Sequence, residues 1–179
     1  MSEKKKIIDP LHIPTNLFPI FVFSDDLRGF IGWAIKSHSK GSYNHCMIMT
    51  RPGFVATQGW TYKEVPIETY MKGQHRLKFW YYKDIDNIDI VDISTEVVKD
   101  LNQSWWKKSY DWLGIIGQAI NIRWLQNPFK NYCSERVAKY ARLINKLEDK
   151  IPKQPSPAEL NQAFINIPQM KIYGYWFKD

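Results

Sequence analysis

The sequence predicts an α+β protein, a small antiparallel sheet or half-barrel packed on helices. Three observations carry that reading. Strand-length apolar runs bounded by turn signals occupy the first half of the chain. Helix-period runs with caps and breakers occupy most of the second half. Two strands are joined by a turn short enough for a hairpin, which makes the sheet antiparallel. With 179 residues, one domain is the simplest organisation. Residues 1–16, with a charged start and prolines at 10 and 14, read as an N-terminal arm, and residues 17–179 as a single domain.

The elements follow in order. Leu17–Phe23 is apolar and aromatic and predicts a buried strand. Ser24-Asp25-Asp26 offers N-caps for a helix to about Lys36, with Leu27, Phe30, Ile31 and Ala34 at helical spacing. Ser37–Ser42 is a polar loop leading into a strand over 43–49. Arg51-Pro52-Gly53-Phe54 is a turn signal with Pro and Gly at its two central positions, and it predicts a hairpin to a strand over 54–60. A loop through Met71–Gln74 leads to a third strand of the meander over 76–82, with a short strand at Ile88–Ile93 after it. Helices are expected over Thr95–Trp106, with Val97, Val98, Leu101 and Trp105 on one face, and over Tyr110–Asn121. Asn127-Pro128 breaks the chain, and Ser134–Leu147 is amphipathic. Ser156-Pro157-Ala158-Glu159 is a capping box with Pro at the first helical position, opening a helix to about Ala163. The aromatic tail Tyr173–Phe177 fits an edge strand.

Composition bounds the function. The formal net charge of +7 fits an acidic partner, whether an anionic membrane surface, a cell-wall polymer or nucleic acid, and fits an ordinary solvated surface equally. The basic residues are scattered apart from Lys4-Lys5-Lys6, so no specific nucleic-acid recognition is expected. Two cysteines make no disulfide framework, and free thiols are expected. No leading apolar run resembles a signal peptide, and Leu17–Phe23 and Trp112–Ile122 are too short or interrupted to span a bilayer. The expectation is synthesis in a reducing cytoplasm, with association with a virion as an alternative destination.

The chemistry concentrates in two segments. Tyr43-Asn44-His45-Cys46-Met47 puts a histidine at the start of an apolar strand, and Asn131-Tyr132-Cys133-Ser134-Glu135 puts a cysteine where a helix begins. The orphan amides and dipole of a helix N-terminus favour a thiolate, and an imidazole can take its proton. Cysteine, histidine and a polar group that orients the histidine form a nucleophilic site. Cys46 alternates with His45 along the strand, points to the other face and reads as core. His12, His38 and His75 stand in loop contexts. The orienting residue depends on hairpin register: a four-residue loop Thr50–Gly53 puts Gln58 opposite His45, a five-residue loop puts Thr57 there, and a two-residue loop puts Trp60 there. Gln58 is the first expectation. No Cys-x-x-Cys or His-x-x-x-His spacing and no Gly-rich phosphate loop occurs, so neither metal nor cofactor is expected. Asp84, Asp86, Asp89 and Asp92 lack the Gly and Glu of a calcium loop and read as a solvated strand face.

The order of the histidine strand, the hairpin, Tyr110-Asp111-Trp112-Leu113-Gly114, Tyr132-Cys133-Ser134-Glu135 and Ser156-Pro157-Ala158-Glu159-Leu160 resembles the YiiX-like permuted papain-like proteins. These belong to the circularly permuted branch of the NlpC superfamily, in which the histidine strand precedes the cysteine helix. The resemblance covers roughly residues 17–163. It implies a permuted papain-like fold, Cys133 as nucleophile and His45 as general base. The family's third residue, on the next strand, is often Glu or His; Thr57 or Gln58 stands there in this sequence, and Asn44-His45 replaces the usual Ser-His or Thr-His. The implied activity is that of a thiol hydrolase. Cys133 would attack an amide or ester, its backbone N–H and Tyr43 would hold the oxyanion, and Trp60, Trp112 and Tyr132 would line the substrate. The implied substrates are peptidoglycan fragments, other peptide amides or lipid acyl groups, with lipid acyl transfer as a variant. A catalytically inactive module with a structural or binding role, for instance in a phage particle, is the alternative from a different class.

Overall fold

The computed structural model describes residues 6–25, 43–59, 61–72, 76–104, 133–144 and 147–177. The fold is α+β. Strands β1 (Ile20–Asp25), β2 (His45–Arg51), β3 (Phe54–Gln58), β4 (Tyr62–Pro66), β5 (Arg76–Tyr82) and β6 (Met170–Phe177) form one sheet in the order β4-β3-β2-β1-β5-β6. Every neighbouring pair is antiparallel. The helices among the described residues are α1 (Glu68–Met71), α2 (Asn87–Leu101), α3 (Cys133–Arg142) and α4 (Pro157–Ile165).

Side-chain alternation splits the apolar residues into two cores. Phe21, Phe23, Cys46, Ile48, Ala56 and Trp80 face the helices, packing with Val137, Ala138 and Ala141 of α3 and Leu160 and Phe164 of α4. Phe164 sits edge-on to Phe21, Phe23 and Trp80. Ile20, Val22, Met47, Met49, Val55, Leu77 and Phe79 face the other way, against Ile13, Phe18 and Ile67. A central strand buried on both faces reads as a continuous apolar run, which is why Ile20–Phe23 carries no polar alternation.

Several expectations change. The strand expected at Leu17–Phe23 starts at Ile20, after a 3-10 turn over Thr15–Leu17. Ser24 and Asp25 belong to β1, and the helix expected to Lys36 lies outside the described residues. β4 was not expected; its sequence Tyr-Lys-Glu-Val-Pro is too polar to announce a strand. β5 does not continue the hairpin meander. It pairs with the far side of β1, leaving β1 between β2 and β5.

The strand expected at Ile88–Ile93 is the first half of α2. The Asp86 side chain accepts from the Asp89 backbone N–H at 2.8 Å, so one of the acids taken for a strand face, Asp86, caps a helix. Asp89, Ile93, Val97 and Asp100 are buried at helical spacing, whereas Ile88 and Val91 are exposed and carried the misleading pattern, and Val98, expected on the packed face with Val97, is exposed too. α3 ends at Arg142, earlier than the expected Leu147, while α4 carries both hydrogen bonds of the capping box. The aromatic tail is the edge strand β6. The helix expected over Tyr110–Asn121 lies outside the described residues.

The hairpin departs from all three registers considered. Pro52 and Gly53 form a two-residue connection between the paired Arg51 and Phe54, with Gly53 at φ 76°. Proline cannot adopt the positive φ that the twist-matched hairpin turns require at that position. The strands compensate with a register shift between Ile48 and Arg51, after which Met47 pairs with Thr57.

Residues 6–8 cover the β6 edge: Ile8 N–H donates to Tyr175 O at 2.9 Å and Tyr175 N–H to Lys6 O at 2.8 Å. A Cβ at Gly174 would meet the Ile8 side chain and lie 2.9 Å from Lys6 O. Gly174→Val is therefore expected to displace the arm. The check is hydrogen exchange at the Ile8 amide, which should lose its protection while the amides of β1 keep theirs.

Candidate functional site

His45 is the first residue of β2, and Cys133 is the first described residue of α3. His45 Nε2 lies 2.7 Å from Thr57 Oγ1, and Tyr70 Oη lies 2.8 Å from the same oxygen. Thr57 pairs with Met47, two residues along β2, which makes it the diagonal neighbour of His45 on the same face. Tyr70, from α1, stacks on the imidazole with ring centroids 5.7 Å apart and planes 14° from parallel.

The Cys133 sulfur sits among donors. Cys46 and His45 are the groups that act on it. These contacts hold its pKa well below the ordinary thiol value: the Cys46 hydrogen bond contributes most, and the charge and hydrogen bond of His45 add to it against burial. Burial, first, and the neighbouring Cys133 push the Cys46 thiol the other way. Both cysteines are free and buried, Cys133 with 3% of its surface exposed. The sequence places Cys46 in the core; the structure adds that its thiol reaches the Cys133 sulfur across the strand–helix contact.

Gln58 is not the residue that meets the imidazole. The register puts it on the helix-facing side of β3, where its Oε1 accepts from Arg136 Nε at 2.8 Å. Arg136, three residues after Cys133 on α3, is 1% exposed and lies 3.1 Å from Asp100 Oδ2 of α2. Tyr140 Oη lies 2.7 Å from that carboxylate and 2.9 Å from Tyr62 Oη, and Lys139 and Gln103 also bond Asp100. The cluster fastens α3, with Cys133 at its head, to α2, β3 and β4. A lone arginine in an amphipathic helix carries no sequence signal that it is buried, and Tyr70 follows a strand that was not expected.

Tyr43 packs edge-on against Phe23, and burial raises its pKa to about 12, which leaves its hydroxyl a donor near neutrality. Trp60, Trp112 and Tyr132 lie outside the described residues. Among the described residues no group of three His, Cys, Asp or Glu side chains could hold a metal ion, and no helix is long and apolar enough to cross a membrane. Compared with known proteins, the chain matches no family model and no curated protein.

Proposed function

We propose that the protein is a cysteine-dependent hydrolase of amide or ester bonds with a permuted papain-like fold. The observation that carries this reading is the Cys133 thiol on α3, its pKa lowered in part by His45, an imidazole whose Nε2 is held by Thr57. The Cys133 thiolate attacks the carbonyl carbon. The oxyanion is held by the Cys133 backbone N–H, with the Tyr43 hydroxyl as the candidate second donor. His45 protonates the leaving amine or alkoxide, leaving a thioester on Cys133. Water then attacks the thioester as His45 takes its proton, releasing the acid and the free thiol. Thr57 holds the ring as the orienting residue, a neutral one, like the Asn of papain-like proteases. A cell-wall peptide amide is the first substrate class, and a lipid ester or amide the second, matching the basic charge of the chain.

The reading of an inactive binding module draws on two observations, the burial of Cys133 and the uncharged orienting residue. The separating experiment incubates the protein with peptidoglycan fragments, peptide amides and lipid esters. Hydrolysis that disappears in Cys133→Ala, with an acyl adduct on Cys133 seen by intact mass, supports the hydrolase. Binding of one of these ligands with no turnover and no adduct supports the module.

A further inference from the structure

We propose that the exposed stripe of α2 is a self-recognition surface, on which a second copy of this chain docks its own α2 antiparallel. The proposal is independent of the hydrolase reading.

A helix on a protein surface ordinarily turns an apolar face inward and a polar face to water. α2 departs from that rule. Ile93 and Val97 belong to the core, with Asp89 and Asp100 buried at helical spacing beside them. The opposite face holds three aliphatic side chains in water: Ile88 is 68% exposed, Val91 61% and Val98 55%. At about 3.6 residues per turn, these three and the exposed Thr95 fall on one stripe. Their spacing of three, four and three residues is that of the seam between two packed helices. Contiguous apolar surface of this kind marks an interaction site.

The charges beside the stripe choose the partner. Asp92 and Lys99 are both exposed and lie on one flank of it, while Val91 and Val98 lie toward the other. In an antiparallel pair related by a twofold axis at Thr95, like flanks face each other. Asp92 of each copy then stands beside Lys99 of the partner subunit, and Val91 of each beside Val98 of the partner subunit. A parallel pair would instead set each charge against a valine. The surface is therefore complementary to itself in one orientation. Lys99 Nζ donates to Glu96 Oε2 of its own helix at 3.3 Å, and an ammonium with three donors can hold a second carboxylate as well.

The test measures the oligomeric state of the full chain by sedimentation velocity, from about 10 to about 500 µM, the range suited to a small and weak interface. Wild type is expected to pass from monomer to dimer across this range. Val91→Glu buries a carboxylate in the seam and should stay monomeric throughout. Asp92→Lys and Lys99→Asp each turn two attractive pairs into repulsive ones and should weaken the dimer about tenfold. The double exchange, Asp92→Lys with Lys99→Asp, restores opposite charges across the interface and should return the affinity to within about threefold of wild type. Every substituted side chain is exposed, so the fold is expected to survive, and circular dichroism checks that it does. A wild type that remains monomeric at the highest concentration would overturn the proposal, whether water or the chain's own residues cover the stripe. A dimer indifferent to Val91→Glu and to both single reversals has its contact elsewhere and would overturn it too. Single reversals that weaken the dimer with no rescue in the double exchange would overturn the antiparallel seating.

Discussion

Asp100→Ala is expected to lower the stability of the fold by about 3–5 kcal/mol, the usual cost of stripping the partner from a buried charge. Asp100 is fully buried and its Oδ2 faces Arg136 Nη1 at 3.1 Å, Tyr140 Oη at 2.7 Å and Lys139 Nζ at 3.0 Å. Removing the carboxylate takes the counter-charge from a guanidinium that is 1% exposed and keeps only neutral Gln58 among the partners named above. Glu96, by contrast, bonds Lys139 and Lys99 near the surface, and Glu96→Ala should cost within about 1 kcal/mol. Urea unfolding checks the pair: the midpoint of Asp100→Ala should fall sharply at unchanged slope, whereas Glu96→Ala should hardly move it. A loss below about 1 kcal/mol for Asp100→Ala would mean that the cluster does not anchor α3, at odds with the value for a broken buried pair.

The largest effect on activity is expected at Cys133 and His45. Cys133→Ala should lower kcat by at least about a thousandfold, and His45→Ala by a comparable factor, because nucleophile and base act as one unit. The double variant should be no worse than the poorer single one, since neither residue contributes without its partner. Turnover of whichever substrate the panel identifies, measured for the two single variants and the double, gives the result. Multiplying losses would indicate independent roles and contradict a paired mechanism.

Much of this was legible in the sequence. The capping box at Ser156–Glu159, the edge strand at the aromatic tail, the Pro52-Gly53 turn and the position of His45 at the head of a strand were readable, because each rests on a few adjacent residues. What failed depends on long-range packing. The register shift between Ile48 and Arg51 moved Thr57, in place of Gln58, to the imidazole, and no local residue signals a bulge. The exposed Ile88 and Val91 on α2 imitated a strand, because a helix that buries charged Asp89 and Asp100 inverts the usual pattern. Tyr70 and Arg136 became visible only once β4, α1 and α3 were folded around them.

The most direct test of the central claim is the pH dependence of Cys133 alkylation by iodoacetamide, resolved from Cys46 by peptide mass spectrometry, in wild type and His45→Ala. A lowered thiol pKa keeps the thiolate present as pH falls below about 8.5, the value of a free thiol, so wild-type alkylation should stay fast there and fall only at lower pH. His45→Ala removes one charge and one hydrogen bond from the sulfur but leaves those from Cys46, so its profile should move partway back toward the ordinary thiol. Two profiles that coincide near pH 8.5 or above would contradict the account, because Cys133 would then be a buried thiol beside a histidine that does not act on it.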